Sequence, residues 1–206
     1  MWRTTPMSRR EMPVGEGERG APQLPEEVEP SGIQPPEAGV GPSFHRRYRV
    51  SIADADISGR ELMACIQADL NVVAPTEFAR FHKTFGAEGR MDLGDEYLVH
   101  MPGPWNGPIR VAEVTDDSFR FATLQGHLEA GQIEFRALGG GDLVFEIESW
   151  ARSGDILSTL MYDRLRMAKE VQLHMWTSTL ERIVKLSGGS RRGRISIESH
   201  RSDVDG

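Results

Sequence analysis

Residues 121–135 read FATLQGHLEAGQIEF and bring Thr123, His127, Glu129, Gln132 and Glu134 together among glycines and apolar residues. A histidine two positions from a carboxylate could exchange protons near neutral pH, given a third group and a reactive atom within hydrogen-bond reach. Gly126 and Gly131 bracket His127, however, and a glycine-framed turn whose histidine bonds a turn carbonyl accounts for the same residues. The stretch is therefore read as two strands and a turn, with His127 at a pocket rim and no residue assigned a catalytic role.

Other chemistry-bearing types are sparse. Glu170 and His174 lie one helical turn apart but opposite the apolar stripe of their helix, as a solvent-facing pair would. Without HExxH, a second cysteine or a histidine run, no metal is expected. Residues 139–141 (GGG) join strands with no helix following, so they form a hairpin loop rather than a phosphate cradle, and no cofactor is predicted. Cys65, in an apolar helical stretch, reads as a small core residue. More informative is a polar trio, Arg164, Gln172 and Thr179, inside the apolar stripe of the final helix. A buried guanidinium needs a carboxylate, water or a ligand anion, and a cavity between helix and sheet would supply any of them.

The elements that must position these groups follow from periodicity. Residues 44–52 alternate Phe44, Tyr48, Val50 and Ile52 with polar residues, a half-buried strand in which only Arg46 breaks the pattern. Ser58 and Glu61 form a capping box ahead of a short helix carrying Leu62, Ile66 and Leu70. A second short helix is predicted from Pro75 to Gly86 with Phe78, Phe81 and Phe85 on one face. EYLVHM, a bend at PGPWNGP, IRVAEVTD, SFRFATL, GQIEFRAL and DLVFEIESWA then read as antiparallel strands. Glu134, Arg136, Glu146 and Glu148 alternate with the apolar positions and mark a wet outer face. From Ile156 to Leu186 the chain runs without Gly or Pro for about eight helical turns. This long helix has one large apolar surface to lie on, the inner face of the sheet.

The fold class is thus α+β of helix-grip type: a curved antiparallel β-sheet with two short helices and a long C-terminal helix packed across it. Tyr97, Val99, Phe121, Thr123, Phe135, Phe145, Ile147 and Met161 would line the apolar wall, with Trp105 near the mouth and Trp150 on the outer face.

FATLQGHLEAGQIEFRA, LVFEIESWARSGD and AKEVQLHMWT resemble the family known as domain of unknown function 1990, within the START and birch-pollen-allergen superfamily. The resemblance spans about residues 44–189 and is carried best by Thr123, Leu124, Gly126, His127, Glu129 and Gly131. The chain departs from the family pattern at Leu128, where proline is common, and at Gln132, where glutamate is common. The resemblance implies a fold and a pocket but no reaction.

Composition bounds the rest. Eight of the 12 prolines precede Ser43 in a segment poor in branched and aromatic residues, so residues 1–43 are expected to be a disordered Pro/Gly/Glu-rich leader. Residues 44–188 are assigned to the helix-grip domain and 189–206 to a flexible tail. A net charge of −7 argues against nucleic acid. No apolar run suits a membrane span and no signal-peptide core is seen, so a cytoplasmic protein of open oligomeric state is expected. The leading functional reading is non-catalytic binding of a small hydrophobic or amphipathic molecule by Arg164, Gln172, Thr123, Tyr97, Phe121, Phe135, Phe145, Met161 and His127. The alternatives are a protein-interaction module without a cavity and an acid–base enzyme using His127 and Glu129.

Overall fold

The computed structural model of the chain describes residues 6–12, 20–101, 106–139, 141–154 and 162–202, with the backbone alone for Met12 and residues 162–171. The described strands are β1 (Met7–Met12), β2 (Val40–Ala53), β3 (Arg80–Phe85), β4 (Glu96–His100), β5 (Asn106–Val114), β6 (Ser118–Thr123), β7 (Glu129–Leu138), β8 (Leu143–Ser153) and β9 (Ser190–Ser202). They form one sheet in the order β1-β9-β2-β8-β7-β6-β5-β4-β3. Neighbours are antiparallel except β1 and β9, which run parallel. Two α-helices, α1 (Gly59–Ala68) and α2 (Tyr162–Leu186), lie against one face.

Alternation decides which face each side chain takes. Tyr48, Val50 and Ile52 of β2 pair across to Ile147, Phe145 and Leu143 of β8, and Phe135 and Ala137 of β7 extend the rows. Leu62, Met63 and Ile66 of α1 and Leu180 and Ile183 of α2 close over them. Phe119, Phe121 and Phe145 are fully buried here, each contributing on the order of 2–3 kcal/mol of apolar burial. The capping box at α1 forms as its spacing predicts: the Glu61 amide donates to Ser58 Oγ at 3.3 Å, and the Ser58 amide to the Glu61 carboxylate at 2.8 Å.

Several expectations are corrected. The helix predicted from Pro75 to Gly86 is instead a turn leading into β3, which pairs with β4. Asn71 holds this path open, accepting from the Phe81 amide and donating to its carbonyl, both at 2.9 Å. The phenylalanine spacing that suggests a helix stripe does not put the rings together: Phe81 packs near Phe121, whereas Phe85 is 67% exposed. The expected flexible tail contains β9, whose Ile195 and Ile197 are buried while Ser196 between them is on the other face. β5 begins at Asn106, inside the expected PGPWNGP bend, whose residues 102–105 lie outside the described ones. Cys65 is exposed on α1 rather than in the core. Residues 155–161, the start of the predicted long helix, also lie outside the described residues.

The outer face is not uniformly wet. Side chains of Glu146 and Glu148 are each 3% exposed. Arg49 reaches Glu146 at 2.5 Å, Arg47 reaches Glu148 at 2.7 Å, and Arg136 bonds both carboxylates. His45 adds a 2.7 Å bond to Glu148 and stacks between Trp150 and His200. The charges neutralise one another across strands, so the guanidinium stems can cover the carboxylates. Further along the same face, part of the expected disordered leader packs down: Val28, Leu24 and Ile33 meet Ala112 and Ala122.

Candidate functional site

The turn between β6 and β7 is held by three layers of contact. Thr123 Oγ1 donates to the Gly131 carbonyl at 3.2 Å or the Gln34 carbonyl at 3.0 Å, and accepts from the Gly131 amide at 2.9 Å. Gln34 belongs to the segment ahead of β2, and its side-chain amide donates to the carbonyls of His127 and Glu129, each at 3.3 Å. Gly131 has φ +156° and lies so close to β8 that a Cβ would stand 1.9 Å from the Trp150 carbonyl oxygen. Glycine is thus required by both conformation and space.

The imidazole of His127 packs onto Gly107, where a Cβ would lie 2.7 Å from Nε2 and Cδ2. Its Nδ1 is 2.9 Å from the Glu129 amide nitrogen and 3.0 Å from the Glu129 carbonyl oxygen. An unprotonated Nδ1 accepts from the amide and a protonated one donates to the carbonyl, so either state has a partner. Burial pushes the pKa of His127 down against the opposing charge of Glu129. Near pH 7 the ring is neutral and held in the turn.

The carboxyl group of Glu129 goes elsewhere. Glu129 lies in register with the helix-bearing positions of β7 and accepts from the Gln172 side-chain amide of α2 at 2.7 Å. Gln172 in turn accepts from Arg46 of β2 at 3.1 Å, and the Arg46 guanidinium sits 4.4 Å over the Phe44 ring. This cation–amide–anion chain ties the sheet to α2. His127 and the Glu129 carboxylate are near each other without being joined, so the turn does not contain a histidine–carboxylate couple of the kind acid–base chemistry uses.

The apolar half of the same face is close-packed. A void of about 20 Å³ remains between α1, α2 and the sheet, bordered by Phe81, Phe119, Phe135, Phe145, Met175 and Trp176. That is room for about one water. Tyr97 and Phe121 pack edge to face in the surrounding core. At the far end, burial works to lower the pKa of Lys83, but its bond to Asp95 at 2.7 Å overrides this and holds it above the ordinary lysine value. Carbonyls of Ala87 and Arg90 accept its other protons at 2.7 and 2.5 Å. With three acceptors for three donors, this ammonium is structural and offers no nucleophilic lone pair.

The predicted binding residues therefore separate. Phe135 and Phe145 border the void; Tyr97 and Phe121 are core; Thr123 commits its hydroxyl to backbone groups; His127 is held in the turn against Gly107 and does not border the void; Gln172 joins helix to sheet. Thr179 spends its hydroxyl on the Met175 carbonyl at 2.9 Å. Met161, Trp105 and the side chains of Arg164 and Glu170 lie outside the described residues. Sequence reasoning missed Arg46 and Gln34. The signal for Arg46 was present: it breaks the alternation of β2 because, unlike its arginine neighbours, it lies on the helix-bearing face. Gln34 left no comparable signal.

Among the described residues no helix is long and apolar enough to cross a membrane, and no group of three or more His, Cys, Asp or Glu is placed to hold a metal ion. No curated protein matches the chain in sequence. Among solved structures, the chain is similar to a norcoclaurine synthase point mutant from Thalictrum flavum in complex with a transition-state analogue, with TM-score 0.51, 10% identity, and coverage of 72% of this chain and 96% of that one. A hypothetical protein of Helicobacter pylori aligns at TM-score 0.46 and 10% identity over 82% of this chain and 98% of its own. CalU16 of Micromonospora echinospora aligns at TM-score 0.41 and 14% identity over 73% and 68%. The first of these likenesses supports a shared helix-grip fold and nothing finer. In sequence, the family model for the domain of unknown function DUF1990 matches residues 43–182, taking in all but the first three residues of β2, the Thr123–Gly131 turn and all but the last turn of α2; the chain belongs to that family.

Proposed function

We propose that this protein binds a small hydrophobic or amphipathic molecule between the sheet and α2, without transforming it. The observation that carries the reading is the Arg46–Gln172–Glu129 chain on the helix-bearing face. All three side chains are half-buried at the edge of the apolar core, where convergent polar groups beside apolar surface suit the head of an amphipathic molecule. The void beside Trp176 holds about one water, so in this reading the ligand enters beside the Arg46–Gln172–Glu129 chain and α2 is the element that yields. The fold shared with a synthase that holds a transition-state analogue is compatible with such a space.

Decanol titrated into the full chain is expected to change the fluorescence of Trp176 saturably, and Trp176→Phe to abolish the change. Native mass spectra should show one bound molecule per chain. The absence of saturable change with decanol, shorter alkanols and decanoate alike, together with spectra free of adducts, would overturn the proposal.

A further inference from the structure

We infer that the polar end of this site is a carboxylate receptor, with Arg46 as the anchoring cation and a carboxylate-bearing amphiphile as the ligand class; the inference rests on the binding function proposed above. Arg46 is half-buried on the helix-bearing face, and among the described residues no carboxylate lies within ion-pair distance of it. Its one described side-chain hydrogen-bond partner is neutral, the Gln172 amide oxygen at 3.1 Å. Among the described residues, other charges on that face are engaged. Arg9 pairs with Glu11 at 3.3 Å, Arg201 has a partner of its own, and Glu129 accepts from Gln172. The outer-face arginines show the contrast: Arg47, Arg49 and Arg136 each meet one or more glutamates directly.

Arg46 is also pre-organised. Phe44 lies under the guanidinium at 4.4 Å, while the bond to Gln172, itself oriented by Glu129, holds one nitrogen. A guanidinium carries five N–H donors in a rigid fork that matches the two oxygens of a carboxylate. Two residues further along β2, Tyr48 stands between Ile147 of β8 and Ile197 of β9, and all three are buried. A cation that borders an apolar ladder selects a molecule with an anionic head and an apolar tail, and disfavours a neutral head that leaves the guanidinium uncompensated.

The test compares decanoate with decanol on the full-length chain by calorimetry near neutral pH. Decanoate should bind about tenfold more tightly, as one charge-assisted pair requires. In Arg46→Gln the ratio of the two affinities should fall to near one. In Glu129→Gln, which keeps an acceptor for Gln172 but removes the nearby negative charge, the ratio should rise. Equal binding of both probes by the unaltered protein, or an undiminished ratio in Arg46→Gln, overturns the carboxylate assignment and leaves the binding function standing. Failure of both probes to bind overturns the function beneath it. Should Arg46→Gln not fold, Glu129→Gln decides: a ratio that stays flat or falls overturns the assignment.

Discussion

Replacing Glu148 by glutamine should cost about 3 kcal/mol at pH 7, and the cost should vanish in acid. Burial pushes the pKa of this carboxyl up, but hydrogen bonds from His45 and Arg47 and the charges of Arg47 and Arg136 outweigh burial and bring it from 4.5 down to about 2. The side chain is 3% exposed, so solvent screening takes little from this. The change in pKa corresponds to about 3 kcal/mol favouring the ionised form in the folded chain. Because the folded-state pKa is depressed, the stabilisation is complete above the unfolded value near 4.5 and is lost as the pH falls toward 2. Urea unfolding of both proteins, followed by far-ultraviolet circular dichroism from pH 7 to about pH 3, measures the difference directly. At pH 7 the variant should also melt about 6–12 °C lower. A gap under about 1 kcal/mol at pH 7, or one that does not narrow on acidification, would refute the view that the outer-face carboxylates stabilise the sheet as ions.

Other expectations concern the turn. Gly107→Ala should displace the His127 ring and cost about 1–3 kcal/mol by overpacking, visible as a lowered melting temperature and a shifted His127 imidazole resonance. Gln34→Ala removes the donor to two turn carbonyls and should cost about 1 kcal/mol, with faster amide exchange confined to residues 127–131. The His127 imidazole should titrate below the ordinary 6.5 in a proton NMR pH series, since burial disfavours its charged form; its contribution to stability is present above 6.5 and lost as pH falls through the folded midpoint. A midpoint at or above 6.5 would mean that the ring is not held in the turn as described.

Local pattern made much of this molecule legible. Strands β6, β7 and β8 follow from alternation, α1 from its capping box, and α2 from a long run without Gly or Pro that carries a largely apolar stripe. What escaped depended on partners outside the local window. β3 pairs with β4, the next strand, while three phenylalanines at helical spacing imitate a stripe. β9 carries Ile195 and Ile197 at strand spacing among arginines and serines, too short an apolar signal to distinguish it from a tail. The burial of Glu146 and Glu148 depends on arginines from β2 and β7, of which those on β2 are about a hundred residues distant, and no window of sequence contains that balance. Gln34 was hidden because segment 20–39 is held mainly by hydrogen bonds to Thr123 and Gln125 and by a single well-buried valine. Hydrophobicity is blind to such bonds.

The sheet order puts β9 between β1 and β2, so strands from opposite ends of the chain lie hydrogen-bonded side by side. A fragment trimmed to the family borders at 43 and 182 would lose both of them, along with Ile183 and Val184 from α2. What was an interior strand would become an open seam, its amides and carbonyls along β2 free to recruit a neighbouring molecule. Trimmed preparations should therefore self-associate, and binding studied on them would report on a zipper left undone.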